Sequence, residues 1–453
     1  MTAQPTDSAA RTDFAARVKR GSALTVAGFG LSNAIRLGSN LILARLLFPE
    51  AFGLMALVLV LMVGLAMFSD IGITPSIQSS KRGDDPDFLN TAWTIQIIRS
   101  VVIFAVACAL AWPMAWFYGQ RELLYLIPVA AISLLIMGVQ PTRVDTASRH
   151  MVLGRVTAIE LASQVLSVLV MLAAAWATGS VWAMVVGHVA AAAIKVALAW
   201  MMLPGIVNRL RWEGAALHEL VHFGKWIFLS TVAGFLVLQS DKLILGGYLS
   251  MERLGLYNIG YFIASFPLLL GHTLTGRLLI PIYRENPPAQ SKASYARLRR
   301  VRFGLSAILI ALMAPLVLGG IWLVEFLYDA RYVSSGPIAV AIAIAILPQI
   351  VVLSYDQVAL ASGDSRGFFV LVCARATLLV ILMLVLVPAV GVMGAAIAMG
   401  LTAVLIYPMV VRLARRHSAW DPLHDVVIGT LALVLGLGAL ALHGPAMAAL
   451  LAG

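Results

Sequence analysis
Apolar runs of about twenty residues or more, separated by short polar breaks, occupy almost the whole of this sequence. A bilayer's hydrocarbon core takes ~20 apolar residues of helix, so each run predicts a membrane-spanning helix. The runs fall at 22–47, 51–73, 89–117, 123–146, 153–178, 180–203, 224–247, 254–282, 303–327, 336–361, 367–387 and 391–411, with a weaker one at 424–442. The expected fold class is an all-α polytopic membrane protein of 12 transmembrane helices plus one weaker C-terminal hydrophobic segment.

The pattern repeats. "LILARLLFPEAFGL" (41–54) returns as "LILGGYLSMERLGL" (243–256), laying Leu41 on Leu243, Leu47 on Leu249, Glu50 on Glu252 and Gly53 on Gly255. Gly154 and Gly187 likewise lie at one constant distance from Gly367 and Gly400, in the spans where a six-plus-six duplication requires them. Six spans begin between the two copies of the turn, so both copies share one orientation. Parallel repeats of this kind form two six-helix bundles, with a substrate site between the halves. The expected domains are an N-terminal lobe with a cytoplasmic tail (1–207), a cytoplasmic linker (208–222), a C-terminal lobe (223–416) and a tail with one extra helix, peripheral to the core (417–453).

Composition agrees: 61% of the residues are hydrophobic and 12% charged. The net charge of +11 could suggest nucleic acid, but its distribution points elsewhere. With the N-terminus in the cytoplasm, only Arg45, Arg121, Arg253 and Arg331 reach the far side, and the other loop Lys and Arg residues stay inside. That asymmetry is the positive-inside rule, so no nucleic-acid partner is expected. The basic run "YARLRRVRFG" (295–304) is read first as topology and second as a contact for anionic lipid or a phosphorylated head group. The opening "MTAQPTDSAARTDFAARVKR" lacks the apolar core of a signal peptide. Cys108 and Cys373, far apart within apolar runs, suggest neither a disulfide nor a metal site.

The linker contains "HELVH" (218–222), a formal match to the zinc-protease pattern, with His218 and His222 on one helical face and Glu219 as the general base. No third ligand is evident, and Leu217, Leu220, Val221 and Gly224 form an apolar stripe that accounts for the segment as a packed amphipathic helix. No metal is expected. Nor is a cofactor, since no nucleotide-binding Gly-x-x-x-x-Gly-Lys-Ser/Thr loop occurs.

Ionisable residues within spans carry the functional signal. They are Arg36, Arg99, Lys195, Lys242, Arg277 and Arg375 against Glu160, Asp241 and Asp356. Each costs ~2.5–3.5 kcal/mol or more at a helix centre, so such groups face a cavity or a partner. The cationic excess suits an anionic substrate, because guanidinium groups hold phosphate oxygens bidentately. Asn33, Arg36 and Asn40 share one face of the first span, Gln96 precedes Arg99, and Gln239 precedes Asp241, so these amides are candidates for a polar cavity. Asp241, Glu160 and Asp356 are candidates for ion coupling. The competing account is helix–helix glue. Asp241 and Lys242, about 100° apart on an ideal helix, are expected to be poor partners for each other.

"ARLLFPEAFGLMAL", "FSDIGITPSIQSS" (68–80) and "LQSDKLILGGYLSMERLGLYNIGY" (238–261) resemble the Wzx-type oligosaccharide flippases of the polysaccharide transporter family, in the superfamily that also holds multidrug/toxin extruders and lipid II flippases. The resemblance covers roughly residues 15–415. It implies a non-enzymatic carrier of the bacterial inner membrane that moves undecaprenyl-pyrophosphate-linked oligosaccharide from the cytoplasmic to the periplasmic leaflet by alternating access. The cavity role of family arginines would fall on Arg36 and Arg99. Membrane lipids, a polysaccharide polymerase and other assembly enzymes are the implied partners. A lipid II-type flippase and a multidrug cation antiporter are the alternatives, the second disfavoured because a desolvated cation needs acids and aromatic faces.

Overall fold
The computed structural model describes residues 7–69, 72–150, 152–285 and 287–452. Side chains at 7–26, 153, 218, 219, 221–230, 277, 278, 280, 281, 284, 285, 451 and 452 lie outside that description. In chain order the helices are α1 (Asp7–Leu46), α2 (Pro49–Phe68), α3 (Ile73–Ser79), α4 (Pro86–Phe117), α5 (Leu123–Gly138), α6 (Arg143–Arg149), α7 (Leu153–Thr178), α8 (Trp182–Met202), α9 (Gly214–Tyr248), α10 (Met251–Glu285), α11 (Lys292–Leu327), α12 (Ser335–Leu353), α13 (Val358–Ala361), α14 (Ser365–Arg416) and α15 (Pro422–Ala452). A 3-10 turn at Ala330–Tyr332 precedes α12. Among the described residues nine helices are long and apolar enough to cross a membrane, or ten if the bent α5–α6 pair is one span. One of the nine, α14, is two expected spans joined by a turn at Val390 and Gly391, where Gly391 takes φ 56°, a backbone state that glycine adopts without strain. The all-helical class expected from the hydrophobic pattern is the class observed.

The chain divides into two compact units, Met1–Leu47 with Leu61–Leu229, and Phe48–Val60 with Ser230–Gly453. In the first, α7 packs on α8 and α1, and α5 packs on α4 and α8. In the second, α12 is the central helix and packs on α10, α11, α14 and α15. Its sequence, "SGPIAVAIAIAILPQIVVL", is apolar all round, as a helix enclosed by neighbours should be, and fifteen of its residues are buried.

Several helix starts are written in local chemistry. α4 and α15 both open on Asp-Pro. Asp85 accepts from the Asp87 amide at 3.0 Å and Asp421 from the His424 amide at 3.3 Å. Pro86 and Pro422 then occupy the first helical position, where no amide donor is needed. Ser291 caps α11 by accepting from Ser294 N at 3.0 Å, and Asp364 caps α14 by accepting from Gly367 N at 2.7 Å.

Five expectations need correcting. The second span ends at Phe68, and the chain resumes helically only at Ile73, as the short α3. The fourth span bends by 61° between α5 and α6, across Pro141, which has no amide to continue the helix. Its repeat counterpart breaks at residues 354–357, between α12 and α13. The linker is non-helical only over 203–213, after which α9 runs unbroken from Gly214 through the expected seventh span. The non-helical stretch is pinned to α4, where Asn90, Thr94 and Thr91 side chains accept from the amides of Arg209, Arg211 and Glu213 at 2.9, 3.0 and 3.2 Å. Finally, α15 is no peripheral appendage. It packs on α12, α11 and α14.

Candidate functional site
The repeated turns meet. Phe48–Val60 lies in the second unit, where α2 and α10 approach backbone to backbone. A Cβ added at Gly53 would stand 2.0 Å from Met251 O, and one at Gly255 would stand 1.8 Å from Pro49 O. Those contacts are reciprocal: Pro49 corresponds to Met251 as Gly53 does to Gly255 in the repeat alignment, so a local dyad passes between the two glycines. The equivalence extends to the preceding helix ends, where the Leu47 and Leu249 amides donate to Leu43 O and Leu245 O, both at 2.8 Å. Glu50 and Glu252 stand in the first turns of α2 and α10, where the helix dipole favours a negative charge. The duplicated Glu-x-x-Gly-Leu therefore has a physical reason: each copy supplies the side-chain-free surface that the other needs. Around it, Phe52 packs edge-on to Tyr332, their ring centroids 5.9 Å apart, and the Arg331 guanidinium lies over Phe48 at 4.9 Å.

Within the spans, each of the three acids named from sequence stands beside one of the cations. Glu160 on α7 is 3.9 Å from Lys195 on α8. Asp356, in the break after α12, accepts two hydrogen bonds from Arg375 of α14, at 2.8 and 3.2 Å. Asp241 accepts from Lys242 Nζ at 3.3 Å and from Tyr257 OH at 2.8 Å. The last pair corrects the expectation that Asp241 and Lys242 are poor partners for each other. The four-carbon lysine stem folds back, and its ammonium is also held 4.4 Å above the Tyr261 ring. Tyr257 and Tyr261 come from the next helix, and nothing in the local pattern around Asp241 marks them as its neighbours.

Arg36, Arg99 and Arg277 are the remaining cations of the set. Arg36 is exposed on α1 and Arg99 is half-buried on α4, both in the first unit. The side chain of Arg277 lies outside the described residues. Asn33 is buried and donates to Phe29 O of its own helix at 2.8 Å, while Asn40 and Gln239 are half-buried. Gln96 has a different job from the one expected. Its amide nitrogen donates to the carbonyls of Met137, Gly138 and Gln140 at 3.0, 3.2 and 3.3 Å, closing the open end of α5. Gln164, overlooked in the sequence, pairs reciprocally with Ser32, donating to its carbonyl at 2.8 Å and accepting from its hydroxyl at 2.7 Å.

His218, Glu219, Val221 and His222 of the zinc-like pattern lie outside the described side chains. Leu220 is fully buried with Ala216 in a cluster that includes Ile77, Phe88 and Ala92, against which Leu217 also packs. That placement matches the apolar stripe. Among the described residues no group of three or more His, Cys, Asp or Glu converges on a metal-sized site.

A second buried polar cluster, not anticipated, anchors α15. Arg302 of α11 is fully buried, donates to Ala419 O and Tyr283 OH, and lies 4.4 Å from the Tyr355 ring centroid. Arg299 donates to both oxygens of Asp421, at 2.6 and 3.0 Å. Asp425 accepts from Tyr355 OH and Tyr407 OH at 2.7 Å and from Trp420 Nε1 at 3.0 Å, with His424 Nδ1 2.9 Å away. Burial works to raise the Asp421 pKa, but the Arg299 bonds and the His424 amide outweigh it and hold the carboxyl below its ordinary value.

Comparison with known proteins adds what geometry alone does not. The family described as "Polysaccharide biosynthesis protein" matches residues 42–337. The teichuronic acid biosynthesis protein TuaB of Bacillus subtilis (strain 168) is 23% identical over 285 residues, covering 61% of this chain and 57% of that protein. The amylovoran biosynthesis protein AmsL of Erwinia amylovora is 22% identical over 238 residues, covering 50% of this chain and 61% of that one. The matches thus span less than two thirds of either relative. Among solved structures, the lipid II flippase MurJ in an inward closed conformation aligns over 93% of this chain and 99% of its own, with TM-score 0.67 and 10% identity. An inward-facing multidrug resistance MATE family transporter aligns over 88% and 95%, with TM-score 0.59 and 11% identity. At these identities the likeness is one of fold.

Proposed function
The chain belongs to the polysaccharide biosynthesis protein family, and from that premise we propose that it is an inner-membrane flippase for lipid-linked oligosaccharide. Its substrate would be an undecaprenyl-pyrophosphate-linked repeat unit, taken up at the cytoplasmic leaflet and released at the periplasmic one, with the N-terminus cytoplasmic, an orientation that the loop charges favour. The observation that carries the reading is charge allocation within the spans. The set carries six Lys and Arg residues against three acids, and each of those acids stands beside a lysine or arginine. Guanidinium groups in a site of low dielectric hold a diphosphate by charge-assisted, bidentate hydrogen bonds. A pocket for cationic drugs would call for the opposite allocation, with carboxylates turned to the ligand rather than engaged by Lys195, Lys242 and Arg375.

Alternating access in this reading moves the two halves relative to each other, while the Gly53–Gly255 contact lies within the second unit. Outward passage of two negative charges runs down the membrane potential, worth ~2.3 kcal/mol per charge per 100 mV, so ion coupling is not required for the charge movement. The test is reversal of the cavity charge. Arg36→Glu and Arg99→Glu should insert and accumulate as wild type while polysaccharide export is lost, and Arg36→Lys should retain part of it. Normal export by both charge-reversal variants would sink the assignment.

A further inference from the structure
The second unit carries a groove of about 560 Å³ between α12, the C-terminal arm of α14 and α15. Its floor is apolar, from Ile344, Leu347 and Val351 on α12 to a stripe on α15 that repeats every third and fourth residue, through Val426, Gly429 and Leu433. The width comes from small residues. A Cβ at Gly429 would meet nothing within 4 Å, and one at Gly436 would make only ordinary contacts, at 3.7 and 3.9 Å. The outer rim is open, with Val426 66% and Leu433 62% exposed.

One end is chemically distinct. Trp420 and Tyr407 line it, and the Arg415 guanidinium lies 3.9 Å over the Trp420 ring. Arg415 is exposed, with Arg412 and Arg416, also exposed, within one helical turn. Among the described residues no carboxylate forms an ion pair with Arg415. Asp425, the acid in this wall, has both oxygens engaged by Tyr355, His424, Tyr407 and Trp420, while Asp421 is held by Arg299 and Asp364 by His417. A cation available at the end of an apolar groove, beside Trp and Tyr of the kind that sit at head-group level, matches a phospholipid in both its parts.

We propose that this groove is a binding site for an anionic diacyl phospholipid, with one acyl chain along α15 and the phosphate on Arg415. On this proposal the open rim faces lipid, so the occupant is drawn from the adjacent leaflet, where diacyl lipids are the bulk component. A single chain needs about half of the ~30 Å hydrocarbon thickness. The α15 wall from Pro422 to Leu440 provides at least that, at ~1.5 Å per residue.

The test uses the full-length purified protein in detergent, titrated with phosphatidylglycerol or phosphatidylcholine, with bound lipid counted by native mass spectrometry and stability followed by thermal unfolding. One interfacial arginine is worth ~1 kcal/mol toward an anionic surface, so wild type should prefer phosphatidylglycerol about fivefold or more. Arg415→Gln should abolish that preference while lipid still binds. Gly429→Leu places a side chain in open groove, so it should melt at or above wild type and bind neither lipid at this site. Equal binding of the two lipids by wild type, or wild-type binding by Gly429→Leu, would overturn the proposal. So would displacement of phosphatidylglycerol by equimolar undecaprenyl phosphate, which would give the groove to a polyprenyl tail instead.

Discussion

Replacing Gly53 or Gly255 by alanine probes the seam between the repeats with the smallest side chain that has a Cβ. At Gly53 the new carbon would lie 2.0 Å from Met251 O and 2.9 Å from Met251 C, and at Gly255 it would lie 1.8 Å from Pro49 O. These are backbone atoms, so no rotamer change relieves the clash. The two helix starts must separate by about 1.5 Å to restore an ordinary contact, and overpacking of this kind costs ~1–3 kcal/mol. Alanine returns up to ~1 kcal/mol through helix propensity, leaving each variant up to ~2 kcal/mol less stable where that return is complete. Gly234 on α9 is the matched control, since nothing lies within 4 Å of its added Cβ and Gly234→Ala should be neutral or stabilising. The propensity gain is common to seam and control variants, so the gap between them is the overpacking cost itself, ~1–3 kcal/mol, or several degrees in a thermal melt. Fluorescence-detected unfolding in detergent reads it, and export assays show whether transport falls with it. If Gly53→Ala and Gly255→Ala melt as high as Gly234→Ala, the reciprocal backbone contact is not what the duplicated Glu-x-x-Gly-Leu preserves.

Other perturbations follow from the buried pairs. Lys242→Gln leaves Asp241 held by Tyr257 alone and should destabilise the protein by about 1–3 kcal/mol, with Asp241→Asn in the same chain restoring part of the loss; additive losses in thermal unfolding would deny the pairing. Arg375→Gln and Asp356→Asn should be similarly non-additive, with a coupling of ~0.5–3 kcal/mol by double-mutant cycle. Arg302→Met would strip the buried Ala419 carbonyl and Tyr283 hydroxyl of their donor, at a cost of roughly 2–5 kcal/mol, and unchanged melting would show that the network does not anchor α15. Asp421 has its folded pKa depressed below the ordinary 3.8, so its contribution is fully present above that value and is lost as pH falls through the folded pKa. The stability difference between wild type and Asp421→Asn should therefore be flat from pH 8 to 5 and shrink only below about pH 4, and a difference that disappears between pH 7 and 5 would refute the Arg299–Asp421 account.

The helical architecture was legible because membrane spans announce themselves by length and apolarity, a signal carried by twenty residues at a time. Helix breaks were legible only where chemistry marks them. Pro141 flags the bend after α5, whereas the break at 354–357 has no proline or glycine to betray it. The Asp-Pro starts of α4 and α15 were there to be read, and the second would have warned that α15 is a firmly begun helix with a role in the core. Charged residues in spans stand out in the sequence, but their partners belong to tertiary structure. Tyr257 reaches Asp241 from the following helix, and Arg375 reaches Asp356 across a break that the hydropathy pattern does not show. Gln96 illustrates the general ambiguity: an amide in a span satisfies a sugar or a frayed helix end equally well, and here it serves three carbonyls of the α5 end.

The most direct test of the central claim is the leaflet distribution of lipid-linked oligosaccharide. Spheroplasts with and without this protein would be treated with a membrane-impermeant lectin or glycan-oxidising reagent, and the labelled lipid-linked fraction measured. The flippase account predicts that outer-leaflet glycan disappears when the protein is removed, that wild type restores it and that Arg36→Glu does not. Equal labelling with and without the protein would contradict the account.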